Sequence, residues 1–442
     1  MNKLWKTPFK SVRLYVQPNN LLEKKEFAVK KDNILPVLKQ TFKKIIPGED
    51  KRVNLSHLKF VSGFIFCFIG DTKTCSIESI RRFMINTFEV SISKGAFWER
   101  LSRNRFKNRL HEIHADLIKK IPSSVVVGEE ILSKLKVTSI WLIDSSSITL
   151  WDGAKESYPG TRTYAGVKWH ACFNLLSGKA EWFSITPTST NDRKRFPDVA
   201  KLKRKLIIFD LGYWDFSLFH EIDLASGFFL SRVKSSAVIT VSEVVKGLGK
   251  PFIGEKLSSE KFKNKRRKII EFIGKLGAGK DPKSYRIVGI WNPTEKKYHW
   301  YVTNLKVSSS VIDTLYRIRW QIELIFKGCK RSLNVDEKMT SNNDNIIEAL
   351  VLSSIISSFA IHLVFSEGEK WLTKNEKLAI SFQRLSHIVA LLAQDFIRYL
   401  TLNNHFDKLK DKIKLFSQEM FEKNHRRRPT TLQNLASELG CE

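Results

Sequence analysis

Three carboxylates stand where a folding chain ordinarily avoids charge. Asp144 interrupts the apolar run SIWLIDSSS, Asp210 ends the run KLIIFD, and Glu323 is the one acid of YRIRWQIELIFKGCK, among Arg317, Arg319, Lys327 and Lys330. An acid in an apolar strand is costly to bury unless it is paired or bound to a metal. Three such groups together can hold two divalent cations about 3.5 to 4 Å apart, one activating a nucleophilic oxygen and the other stabilising the leaving oxygen of a phosphodiester. Oxygen ligands and phosphate chemistry favour two Mg²⁺ ions, with Mn²⁺ as a substitute. Each acid alone also has a plainer role. Asp144 could cap a turn through DSSS, Asp210 could accept bonds from a following helix, and Glu323 could form an i,i+4 pair with Arg319 worth a few tenths of a kcal/mol.

The elements that must position these groups follow from periodicity. At about 100° per residue, Ile318, Ile322, Ile325 and Cys329 form an apolar helical stripe, and Tyr316, Arg319, Glu323 and Lys330 cluster nearly opposite it. VTSIWLIDSSSITLWDG is rich in branched and aromatic residues and predicts a strand ended by the Asp152-Gly153 turn. GVKWHACFNLLSGKAEWFSITP predicts two more strands, and TSTNDRKRFPDVAKLKRK a helix. KLIIFDLGYWDFSLFHEI reads as a buried strand followed by a helix, and GFFLSRVKSS as another strand. An acid at the C-terminal end of a buried strand lies where open α/β sheets gather ligands. YRIVGIWNPTEKKYHWYVTNL predicts a hairpin turning at Asn292-Pro293. The chain reads as helical from about residue 36 to 121 and again beyond 346.

Lys and Arg number 75 against 45 Asp and Glu, a formal charge of +30 in 442 residues, which predicts a polyanionic partner. Basic residues concentrate at Lys261, Lys263, Lys265, Arg266, Arg267 and Lys268, and at Arg426, Arg427 and Arg428. The five cysteines lack CxxC spacing and predict neither a disulfide framework nor a zinc site, which fits a reducing, cytoplasmic setting. MNKLWKTPFKSVRLYV lacks the apolar core of a secretory signal. FVSGFIFCFIG is too short to cross a bilayer, and ALVLSSIISSFAIHLVF, broken by serines and His362, predicts a buried helix rather than a membrane span.

The spacing of Tyr316, Arg319, Glu323 and Lys330 resembles the Tyr-Arg-Glu-Lys signature of the insertion sequence 4 family of DDE transposases. IDSSSITL is similar to that family's first-aspartate block, DLGY to its second, and FFLSRVK to the strand that follows; VKWHACFNLLSG, with Lys168 and His170, resembles a family strand pair. The likeness covers roughly Lys136 to Arg331. It implies an α/β fold: an RNase H-like mixed sheet with a mostly β insertion at about 235–304, a catalytic core over 136–345, and helical flanks at 1–135, for DNA binding, and 346–442, to cover the core and pair protomers. It further implies Asp144, Asp210 and Glu323 as the metal-binding catalytic triad, and Tyr316, Arg319 and Lys330 as phosphate contacts at the element's end. The implied partner is double-stranded DNA, terminal inverted repeats and target alike, engaged by a homodimer. The reaction implied is hydrolysis at those ends and strand transfer by the 3′-OH, through a hairpin in many members. A hairpin needs an aromatic residue for a flipped base. Trp300 is the expected one, with Trp291, Tyr298 and His299 as alternatives. Asp192 matches a family position but reads as a loop acid, and His170 as a hydrogen-bonded strand histidine.

Overall fold

A computed structural model describes residues 13–14, 34–46, 55–67, 76–120, 126–161, 164–175, 180–263, 265, 267–277, 282–323, 326, 341–369, 378–402, 405–416, 419, 421–423 and 431–441. Lys330, Ile325, Cys329 and the run Arg426, Arg427, Arg428 lie outside the described residues.

Nine strands form one sheet: β1 (Ser139–Thr149), β2 (Gly166–Asn174), β3 (Ala180–Pro187), β4 (Lys205–Phe209), β5 (Phe228–Arg232), β6 (Ile239–Lys246), β7 (Ile269–Leu276), β8 (Ser284–Asn292) and β9 (Lys297–Thr303). Their spatial order is β3-β2-β1-β4-β5-β9-β8-β7-β6. In the first five, β2 is antiparallel to both β1 and β3, while β1, β4 and β5 run parallel. That order and polarity make the core RNase H-like. The β insertion does not fold as a separate layer. Its last strand, β9, pairs antiparallel with β5, Tyr301 opposite Arg232, so the core sheet continues into β8, β7 and β6.

The central strands read as unbroken apolar runs because both faces are covered. Side chains alternate across a strand, so Ile140, Leu142, Leu206 and Ile208 point into one core while Trp141, Ile143, Ile207 and Phe209 point into the other. The first core contains helices from both ends of the chain. Helix Asp344–Glu369 packs against Asn104–Lys120 and His57–Cys67, and helix Ala393–Thr401 also packs on His57–Cys67. The second core lies under helix Phe216–Leu224 and runs into the insertion through Phe272 and Tyr285.

One local expectation changes. Residues 188–204 form only short 3₁₀ turns, Asp192–Arg195 and Val199–Leu202. Pro197 disfavours helical backbone at Phe196, and Asn191 and Asp198 cap the turns through their side chains. The N-terminal stretch from Ser93 divides at Arg103 into helices Lys94–Ser102 and Asn104–Lys120. Ser76 caps helix Ile77–Phe88 as its sequence suggests, its hydroxyl accepting from Ser79 N–H at 3.0 Å. ALVLSSIISSFAIHLVF lies within helix Asp344–Glu369, and no helix of the described residues is long and apolar enough to cross a membrane.

Candidate active site

Strand register sets the first two acids side by side. The parallel pairing runs from Ser139 opposite Lys205 to Ile143 opposite Phe209, so the next positions, Asp144 and Asp210, are neighbours across the two strands. Alternation turns both toward the face of Ile140, Leu142, Leu206 and Ile208, the face that carries helix Ser309–Ile318. That helix buries Val311, Ile312, Leu315 and Ile318 against the core, and a further helical turn beyond Arg319 carries Ile322 inward and Glu323 toward the acids.

Arg319 joins the elements. Its Nη1 donates to Asp144 Oδ2 at 2.9 Å and its Nη2 to Glu323 Oε1 at 2.5 Å, with the guanidinium largely buried. The i,i+4 pair is therefore real, but it is one half of a bridge across the site. Tyr316 is buried rather than part of a wet helix face, and its hydroxyl donates to Asp210 Oδ1 at 3.3 Å. Arg232, at the end of β5, lies 6.0 Å from the Tyr316 ring. This cation escapes a sequence reading because nothing local marks it.

Burial pushes the Asp144 carboxyl up to about 6; Arg319 opposes the rise, and Asp210 and Glu323 add to it. Burial also raises Glu323, again against the pull of Arg319 and with a contribution from Asp210. Burial disfavours the Arg319 charge, yet the surrounding carboxylates Asp144, Asp210 and Glu323 more than offset this and hold it protonated. The site is thus acids repelling one another around a shared cation. Among the described residues, Arg319 Nε is buried without a hydrogen-bond partner.

Asp192 is more than a loop acid. Its Oδ1 accepts from Lys168 Nζ at 3.0 Å and from Ser145 Oγ at 3.1 Å, and Ser145 N–H in turn bonds Asp144 Oδ1 at 2.8 Å. A Cβ on Gly212, within the DLGY turn, would come within 2.6 Å of Asp192 Oδ2, so the turn carrying Asp210 packs closely against this carboxylate, which a larger residue would displace. His170 is buried, 2.9 Å from Thr186 Oγ1, and burial pushes its pKa down to about 4, leaving it neutral. Trp300 sits on β9 within the insertion, its ring against Phe262, Phe272 and Tyr298 and over Gly289, where a Cβ would approach it to 2.4 Å. No described contact joins Trp300 to the three acids.

The donor set suits hard divalent ions in kind: three carboxylates, two raised by burial and mutual repulsion, a charge pattern that a cation relieves. Among the described residues, no trio of acid, histidine or cysteine side chains is placed to hold an ion, and the Arg319 guanidinium pairs with both Asp144 and Glu323. Binding metal there requires Arg319 to release one of them.

The chain is similar to known transposases. The family model described as "Transposase DDE domain" matches residues 136–359. The transposase for insertion sequence element IS231F of Bacillus thuringiensis subsp. israelensis is 22% identical over 383 residues, covering 74% of this chain and 77% of that protein. The transposase for insertion sequence element IS1151 of Clostridium perfringens is 24% identical over 279 residues, 51% of this chain and 59% of that one. A piggyBac transposase synaptic complex with hairpin DNA aligns with 87% of this chain and 82% of its own at 12% identity and a TM-score of 0.40. The insertion sequence 4 signature is compatible with these matches. The chain belongs to the DDE transposase family, as a transposase of an insertion sequence.

Proposed function

We propose that the protein cuts the ends of its own insertion sequence by metal-assisted phosphodiester hydrolysis at Asp144, Asp210 and Glu323, and joins the freed 3′ ends to target DNA. The observation that carries this reading is the convergence of Asp144 on β1, Asp210 just after β4 and Glu323 in the helical segment after Ser309–Ile318, the first and third bonded by Arg319 and the second by Tyr316. Mg²⁺ or Mn²⁺ bound there supplies activation of the attacking oxygen and charge stabilisation at the leaving oxygen. The chain's own groups do the rest. Asp144, Asp210 and Glu323 supply the ligand oxygens. Arg319, released from one acid, offers a planar fork, and with it the unpartnered Nε, to a phosphate of the bound end. Tyr316 keeps its proton, because burial raises its pKa far above neutrality, and so it orients Asp210 as a hydrogen-bond donor. Lys330 adds a phosphate contact by its place in the signature. Synapsis of two ends calls for two protomers.

Cleavage of DNA carrying the element's end, in Mg²⁺ or EDTA, tests this. Wild type should nick the end only with metal, whereas Asp144→Ala and Glu323→Gln should lose cutting by at least a hundredfold while still binding. Tight binding with no cutting by wild type would make the chain a DNA-binding descendant. Cutting without joining of pre-cleaved ends would make it a nuclease.

A further inference from the structure

Asp144 has neither oxygen idle. Its Oδ1 accepts from the Ser145 N–H at 2.8 Å and its Oδ2 from Arg319 Nη1 at 2.9 Å. The same guanidinium directs Nη2 to Glu323 Oε1, while Asp210 Oδ1 takes the Tyr316 hydroxyl. Arg319 is therefore already the counter-charge of two of the three acids. Its side chain is 11% exposed, so water screens the pairing weakly.

This arrangement resists any simple exchange of Arg319 for divalent ions. If Arg319 stayed in place, its charge would repel ions drawn to the same carboxylates. If it merely let go of both acids, it would be a buried cation without a partner, which is strongly destabilising. An oxyanion removes both obstacles. Arg319 Nε is buried and, among the described residues, without a hydrogen-bond partner, so the fork has a donor for a phosphate before it yields either acid. Arg232 lies 6.0 Å from the Tyr316 ring, and Arg319 lies 5.7 Å from it, which places a second guanidinium beside the same ring.

We infer that Arg319 is a lock on the acids that DNA opens: it holds Asp144 and Glu323 against divalent ions until a backbone phosphate draws it away. Metal and DNA then bind cooperatively through this one side chain. The inference rests on the metal-assisted reading above and adds an order to it, in which the free protein holds ions weakly and loads them once DNA is bound. By linkage the coupling is reciprocal, so that metal tightens DNA by the factor with which DNA tightens metal.

The test is Mn²⁺ binding to the full chain, read from loss of the free-ion EPR signal, with and without a pre-cleaved end duplex. A 3′-dideoxynucleotide on that duplex prevents joining, and Asp144→Asn with the same duplex is the blank for ions held by DNA itself. Wild type should bind Mn²⁺ about tenfold more tightly with duplex than without it. Arg319→Met should match that tighter binding without DNA, and duplex should then add little. Equal Mn²⁺ affinity of wild type with and without duplex would overturn the lock and leave the metal site, and with it the cleavage reading, intact. Duplex tightening of undiminished size in Arg319→Met would mean that DNA acts by ligating the ions directly, and would overturn the lock equally. If Arg319→Met fails to fold, Arg319→Lys, which keeps the charge without the fork, should bind Mn²⁺ alone more tightly than wild type and respond less to duplex; wild-type behaviour there would overturn the lock. Mn²⁺ binding no stronger than that of Asp144→Asn in every protein would defeat the metal reading itself, and the lock with it.

Discussion

Arg319 and Asp192 divide the work of holding the acids. Arg319 neutralises Asp144 and Glu323 directly, at 2.9 and 2.5 Å. Asp192 acts one residue away, through Ser145 beside Asp144 and through the Gly212 approach beside Asp210. Its own charge is balanced by Lys168, whose side chain is only 14% exposed and also donates to the Thr190 carbonyl. Replacing Asp192 by Ala leaves that ammonium partly buried without its partner, a change that costs about 3 kcal/mol when an ion pair is broken in the interior. Urea denaturation should show a loss of this order, discounted for residual solvent, and end cleavage should fall at temperatures where the variant is still folded. Unchanged cleavage by a folded Asp192→Ala would confine the residue to stability.

At the scale of elements, the acid-bearing segment hangs on the insertion as well as on the core. Glu271, on β7, accepts from Ser309 Oγ at 2.6 Å at the start of helix Ser309–Ile318 and from Arg286 Nε at 2.7 Å on β8. Arg286 Nη1 reaches the carbonyls of Leu305 and Val307, which lead into that helix. Burial works against the Glu271 charge, but the bonds from Arg286 and Ser309 prevail and hold its pKa below the usual carboxylate range. At the other end, Thr314 donates to Glu438 of helix Thr431–Glu438 at 3.1 Å. Glu271→Ala should therefore cost about 3 kcal/mol, as for a buried charge stripped of its partner. Cleavage should fall further than binding, because the helix leading to Arg319 and Glu323 loses its anchor. Equal losses in both, measured by nicking and by fluorescence anisotropy, would argue against that coupling.

For the whole molecule, carboxylates tie the helices of the first core to one another. Asp116 is held well below the usual carboxylate range: burial opposes its charge, but Lys120, Thr41 and Lys44 outweigh it, joining helix Asn104–Lys120 to Ile34–Ile45. Glu348 of helix Asp344–Glu369 is likewise lowered, burial being overcome by His111 and Lys107. A depressed pKa contributes stability that is complete above the ordinary carboxylate pKa and is lost as pH falls through the folded value. Unfolding free energy should thus drop as pH falls below about 4, the ordinary range for these side chains. In the double variant Asp116→Asn, Glu348→Gln, the slope over that window should be shallower. An identical slope would place the acid sensitivity elsewhere.

The identities and spacing of Tyr316, Arg319 and Glu323, the isolated acids in apolar runs, and the strands around them were legible in the sequence, because alternation and helical period are local properties of a chain. Ser76 was legible as a cap for the same reason. The bridging by Arg319 was not, since an i,i+4 partner is visible in sequence while Asp144, 2.9 Å away, is brought near only by sheet register. Nor were Arg232 beside Tyr316, Asp192 against Gly212, or the joining of the insertion to β5, each set by contacts between distant segments. The helix expected within 188–205 failed where Pro197 and side-chain caps outweigh composition. Pattern determined which elements form and which residues carry charge. Packing of the two faces of one sheet decided which of those charges meet.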